Sequence, residues 1–111
     1  MKETFVNNIK CVIGSNASEN WTILSNSKPH HMFFHLSSFP SCFVILETGN
    51  KYPEIELEIL KNAALICKSN TKYKNVPNVK VDYTFCENII KGDKIGEIIY
   101  KSKRQVKQIK I

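Results

Sequence analysis

Apolar and polar residues alternate or recur at periods that divide the chain into short strands and one clear helix. From Thr4 to Ile13, Phe5, Ile9, Cys11 and Ile13 share one parity while Thr4, Asn8 and Lys10 take the other, which predicts a strand ended by the Gly14-Ser15-Asn16 turn. Ser18 is placed to cap a short helix running to about Ser25, closed by Lys28-Pro29. His31 to Leu36 and Cys42 to Glu47 read as strands. In the first of them Met32, Phe34 and Leu36 face one way, and His31, Phe33 and His35 the other. Thr48-Gly49-Asn50 breaks the chain. From Pro53 to Ser69 the residues Ile55, Ile59, Ala63, Ile66 and Cys67 step by three and four, with Leu57, Leu60 and Ala64 widening the stripe. Glu54, Glu56 and Glu58 suit the positive end of that helix and Lys68 its negative end.

Beyond a polar loop, Val79, Val81, Tyr83 and Phe85 alternate with Lys80, Asp82, Thr84 and Cys86, the cleanest strand in the chain. After the Gly92-Asp93 turn, residues 96–101 and 105–111 predict a closing hairpin with Ser102, Lys103 and Arg104 at its tip. The expected order is β-α-β-β-α-β-β-β. It implies an α+β fold, a mainly antiparallel sheet with one long and one short helix, in a single domain over residues 1–111.

Charge changes the picture more than composition does. The net charge is +6, yet residues 1–71 hold six lysines and six glutamates and cancel, whereas residues 72–111 hold ten Lys or Arg against four acids. A one-sided cationic surface suits a polyanion, because neutralising phosphates releases condensed counterions; a solubilising charged surface is the other reading. No apolar run approaches the roughly 20 residues needed to cross a bilayer, and Met1-Lys2-Glu3-Thr4 has no apolar signal core behind it. The chain is therefore expected to be soluble and cytoplasmic, with no membrane partner.

Catalytic and metal signatures are weak. Cys11, Cys42, Cys67 and Cys86 are widely spaced without a C-x-x-C pair, so buried free thiols are expected and neither a zinc site nor another cofactor. His31 and His35 share a strand face, but two imidazoles do not make a metal site. Neither a G-x-S-x-G elbow nor a phosphate loop with G-x-x-x-x-G-K occurs. Binding chemistry is better represented. Phe33, between His31 and His35, is either a stacking ring on an open sheet face or a core residue beneath a helix. Lys103 and Arg104, flanked by Lys101 and Lys107, offer cations to phosphate or form a solvated turn. Trp21 is either a stacking ring or a core anchor.

Several segments, in order along nearly the whole chain, resemble the NFACT-R domain family. The family's opening G-x-N turn and following Asn correspond to Gly14-Ser15-Asn16 and Asn20. Its P-x-D-[IV]-W-[LF]-H segment and S-x-H-V strand correspond to residues 29–35 and to Ser41-Cys42-Phe43-Val44. A helix with small residues corresponds to the one holding Ala63-Ala64, the V-x-Y-T strand to Val81-Asp82-Tyr83-Thr84, and K-x-G-x-[IV] to Lys94-Ile95-Gly96-Glu97-Ile98. The chain departs from the pattern where His31 replaces Asp, Phe33 replaces Trp, Phe43 replaces the second His, and Glu47 replaces an Arg. Gly14, Asn16, Asn20, Pro29, His35 and the Tyr83-Thr84 pair are retained.

The resemblance implies RNA binding of the kind found in ribosome-associated quality-control factors, on structured RNA such as tRNA or rRNA. It also implies a stand-alone, non-catalytic version of the domain, with DNA as a further ligand among relatives. The expected contacts are His35, Phe33, His31, Asn16, Asn20, Lys28, Lys101, Lys103, Arg104 and Lys107. Two alternatives stay open: an RNA-modification enzyme or accessory with its site around His35, and a protein-interaction module.

Overall fold

The computed structural model describes residues 1–49 and 55–111. β1 (Lys2–Val6) and β2 (Ile9–Ile13) form a hairpin rather than the single strand that the sequence suggests. Asn7 and Asn8, both at positive φ (47° and 67°), make the two-residue turn, a backbone conformation that asparagine tolerates better than most residues. That turn resets the parity: Val6 pairs with Ile9 and points into the core, and Phe5 is left exposed.

α1 (Ala17–Asn26) follows the Gly14-Ser15-Asn16 turn where a short helix is predicted, but Asn16 rather than Ser18 caps it, so Ser18 lies within the first turn. β3 (Met32–Leu36) and β4 (Val44–Leu46) pair antiparallel. α2 (Leu57–Ser69) starts later than the predicted Pro53, since Ile55 and Glu56 are not helical; Pro53 and Glu54 lie outside the described residues. Leu57 consequently points to solvent, and Leu60, Ala63, Ala64 and Cys67 make the buried stripe.

β5 (Lys80–Phe85) lies within the predicted residues 79–86, with Cys86 opening a 3-10 turn, and the rest of the chain does not form the predicted hairpin. β7 (Ile98–Tyr100) pairs with an unpredicted strand, β6 (Ile89–Lys91), whereas β8 (Lys107–Lys110) returns to the far side of β5. The main sheet has six strands in the order β1-β2-β4-β3-β5-β8, every pairing antiparallel, with β6-β7 as a separate two-stranded ribbon. The α+β class with a mainly antiparallel sheet is thus observed.

Both sheet faces are covered. On one, Cys11, Ile13, Met32, Phe34, Leu36, Val44, Leu46 and Val81 pack with the stripe of α2, where Ala63 and Ala64 let the helix approach closely. On the other, Val12, Phe33, Phe43, Ile45 and Cys86 pack with Ile23 and Leu24 of α1 and Ile89 of β6, and with Trp21, Ile98 and Tyr100 at the margin. Trp21 anchors α1 to the ribbon by donating its indole N–H to the Glu97 carbonyl at 3.0 Å. No described helix is long and apolar enough to cross a membrane.

Candidate nucleic-acid interface

The turn before α1 is built for a close approach. Asn16 caps the helix, its Oδ1 accepting from the Glu19 amide at 2.9 Å, and Glu19 reaches back to accept from the Ser15 amide at 3.0 Å. One helical turn on, buried Asn20 accepts from the Phe43 amide at 3.0 Å, while the Gly14 amide donates to the Phe43 carbonyl at 3.0 Å. Both peptide groups of Phe43 are thereby satisfied, and α1 is tied to the residue that leads into β4. A Cβ at Gly14 would sit 2.1 Å from Asn20 Oδ1 and 3.0 Å from its Cα, so only glycine fits here.

These residues wall a cleft of about 630 Å³ at one end of the sheet. Its lining includes Gly14, Ser15, Asn16, Asn20, His35, Ser41 and Cys42; Lys2, Asn70, Thr71 and Lys72 form one side, and Ile95 and Gly96 another. Gly96, at φ +89°, lies against Ala17 so closely that a Cβ would come within 2.8 Å of the Ala17 Cβ. Lys2 Nζ donates to Asn70 Oδ1 at 3.0 Å, joining the edge strand β1 to the end of α2.

His35 is the one imidazole in this lining. Its ring lies parallel to Phe33 (centroids 6.2 Å, planes 10° apart) and edge-on to Phe43 at 5.6 Å. Burial holds its pKa below the ordinary histidine value, against smaller opposing effects from the Leu36 backbone and from Asp82 opposite it on β5. Asp82 is itself buried, accepting from Tyr100 at 3.2 Å and from Gln108 at 3.0 Å. Burial, with Asp82 alongside, pushes the Tyr100 phenol up.

Cys42 also lines the cleft and is only half-buried, unlike the other three cysteines. Its thiol lies 3.6 Å from the Cys67 carbonyl, and the Cys67 thiol 3.7 Å from the Cys42 carbonyl. Hydrogen bonding from Cys67 holds the Cys42 thiol below its usual value and pushes Cys67 up. Burial lifts Cys11 to about 12 and Cys86 to about 11. All four remain free thiols.

The remaining expected contacts are placed differently. Phe33 is fully buried between Phe43 and Tyr100 beneath α1 and the β6-β7 ribbon, so the open aromatic face is corrected: no base can stack on it. His31 is buried as well; its Nδ1 accepts from the Lys28 amide at 3.1 Å, closing the turn before β3, and this removes it from any external surface. Asn20 lines the cleft, but its carbonyl oxygen is committed to Phe43. Lys28 borders a separate hollow together with Lys91, and Lys107 a groove beside α2 with Tyr83 and Phe85.

Lys103 and Arg104 are exposed on a 3-10 turn (Lys103–Gln105) between β7 and β8, not at a hairpin tip. That turn hangs on Asn88, a buried residue that no periodicity or motif singles out. Its Nδ2 donates to the Ser102 carbonyl at 2.9 Å and to Thr84 Oγ1 at 3.2 Å, and its Oδ1 accepts from the Ser102 amide at 2.8 Å. The structure thus gathers Asn16, Asn20 and His35 at one cleft and disperses the predicted cations. It adds Lys2 and Lys72, whose approach to the cleft depends on tertiary contact alone.

Buried His31 and half-buried His35 give a pH dependence with a definite sign. Both His31 and His35 have pKa values lowered chiefly by burial, so the unfolded chain binds protons that the folded one refuses. Their contribution is complete above the unfolded value of about 6.5 and is lost as pH falls through the folded values. Thermal melts at pH 7.5, 6.5 and 5.5 are expected to show a falling Tm, with a shallower fall in His35→Gln. A wild-type Tm that stays flat over that range would contradict this account.

An antiparallel sheet covered on both faces, with a polar, lysine-edged cleft at its end, defines a small α+β binding domain. Residues 3–107 match the family model described as the NFACT protein RNA binding domain, and the chain belongs to that family. The fold is similar to the solved C-terminal part of the fibronectin/fibrinogen-binding protein from Streptococcus suis. The TM-score is 0.83 at 21% identity, over 98% of this chain and 43% of that one. The chain therefore spans less than half the length of that structure, and the likeness concerns the fold. No curated protein sequence matches.

Proposed function

We propose that this member of an RNA-binding family is a non-catalytic module that takes an unpaired stretch of a structured RNA, such as tRNA, along the cleft at His35. One observation carries the reading. Gly14, Asn16, Asn20 and His35, four of the retained family positions, line a single cleft edged by Lys2 and Lys72. Pro29, Tyr83 and Thr84, by contrast, have structural work. The Pro29 carbonyl accepts from the Glu87 amide, Tyr83 stacks on Phe34 at 5.8 Å, and Thr84 Oγ1 donates to the Gln105 carbonyl at 3.0 Å. In this reading the lysines meet phosphates and the asparagine and serine groups meet ribose or base edges. His35, kept neutral, contributes a hydrogen-bonding ring rather than a charge. Four free thiols suit a reducing compartment, and the cytoplasm is the proposed place of action.

The test is binding of labelled tRNA across a salt series. Affinity should fall steeply between about 50 and 200 mM salt. Lys2→Glu with Lys72→Glu should weaken binding at least about tenfold and reduce the salt slope by roughly two. Lys103→Glu with Arg104→Glu tests the turn separately, and unchanged binding there would confine the interface to the cleft. No affinity for any polynucleotide at low salt would sink the proposal.

An RNA-modifying enzyme is the second reading, favoured by the same convergence of polar groups in a cleft. Against it, no carboxylate occurs among the described lining residues, and Cys42 is engaged by Cys67 rather than by His35.

A further inference from the structure

With Phe33 enclosed, the aromatic surface beside the cleft has to come from elsewhere, and the rim supplies one. Phe39, in the loop between β3 and β4, is 38% exposed and stacks on Tyr73 with ring centroids 4.2 Å apart and planes 26° from parallel. Both rings adjoin the cleft through their chain neighbours. Pro40 and Ser41 follow Phe39 into the lining, and Thr71 and Lys72 lead to Tyr73. The Lys72 ammonium lies 5.5 Å from the centre of the Tyr73 ring. Tyr73 is anchored, packing against the core cluster under α2. A rigid inner ring therefore supports an outer one whose remaining exposure faces solvent, next to a lysine and a polar cleft.

We propose that the Phe39–Tyr73 pair is a stacking platform for one unpaired nucleobase of a strand whose backbone enters the cleft, an inference that rests on the RNA-binding reading above. A base in a single strand has a free π-face and gains by stacking on an aromatic ring, whatever its identity. A base in a duplex is already stacked and gains nothing. The backing by Tyr73 matters because it fixes the Phe39 ring in advance, so little side-chain freedom is lost on binding. The platform accordingly selects single-stranded over double-stranded RNA without reading sequence.

Single-stranded oligoribonucleotides with 2-aminopurine at successive positions, alongside a duplex of the same length, provide the probe. Wild-type protein should quench the fluorescent base at one position. Phe39→Ala should abolish that quenching and weaken single-strand binding about five- to 150-fold, the range expected for one stacked base, while duplex affinity changes less than about twofold. Phe39→Tyr should restore both signals, and Tyr73→Leu, which keeps an apolar side chain against the core, should give an intermediate loss. Phe39 is exposed, and melting of each variant confirms its fold. Single-strand affinity and quenching unchanged in Phe39→Ala, with wild-type binding intact, would overturn the platform and leave the RNA-binding reading standing. Equal losses on single strand and duplex would overturn it too. Failure of the wild type to bind either RNA would remove both.

Discussion

Phe33→Ala is expected to lower the free energy of unfolding by about 3–5 kcal/mol, the usual cost of emptying a core aromatic site. The ring has no exposed surface and touches Phe43, His35 and Tyr100, so its removal leaves a cavity walled by rings that cannot collapse without moving α1 or the β6-β7 ribbon. Against a typical domain stability of about 5–15 kcal/mol, that loss leaves a marginal fold. Urea unfolding followed by circular dichroism measures it directly. RNA affinity, taken at low temperature where the variant is still folded, should change little, because Phe33 offers nothing to a ligand. A variant as stable as wild type but deficient in RNA binding would reverse the assignment of this ring to the core.

The second large effect belongs to Gly14→Ala. The new methyl carbon would fall 2.1 Å from Asn20 Oδ1, and with the Asn20 Cα at 3.0 Å the helix cannot simply tilt away. Asn20 must give up its bond to the Phe43 amide, and a buried unpaired donor costs about 1–3 kcal/mol. Strain from overpacking adds about 1–3 kcal/mol. The clash and the lost bond share one partner, so the two sites should be coupled. Gly14→Ala combined with Asn20→Ala is expected to be less destabilised than the sum of the single variants. Strict additivity would show that Gly14 is required for some other reason.

Both residues illustrate what a sequence can and cannot say. Alternation in residues 31–36 correctly puts Phe33 and His35 on one face, whereas His31 lies in the bend before β3, and period two carries no information about what covers that face. The cover is α1 together with a ribbon whose first strand, Ile89–Lys91, is too short to announce itself. The stripe of α2 and the alternation of β5 were legible because each repeats several times within one element. The first hairpin is hidden because the alternation of Phe5, Ile9, Cys11 and Ile13 runs straight through Asn7-Asn8, although two turn-forming residues in a row are themselves a signal. The pairing of the last strands is not legible because β8 passes over its neighbour in sequence to join β5, and a long-range choice of partner leaves no local trace. The cleft was partly legible through its Gly, Asn and His positions. Lys2, Lys72 and the Phe39–Tyr73 pair were not, since each reaches the cleft by contact between segments distant in the chain.

The six-stranded sheet terminates on β1 and β8, and its outer strands carry exposed lysines at their ends: Lys2 at the start of one, Lys107 and Lys110 at the two ends of the other. An open strand edge is a template for a further strand from another molecule, and charged lysines there make such polymerisation costly in desolvation and mutual repulsion. Some of the positive charge crowded into the final forty residues therefore has a colloidal role that is independent of any phosphate. Neutralising Lys107 and Lys110 would be felt first as a tendency to form β-rich aggregates in concentrated solution.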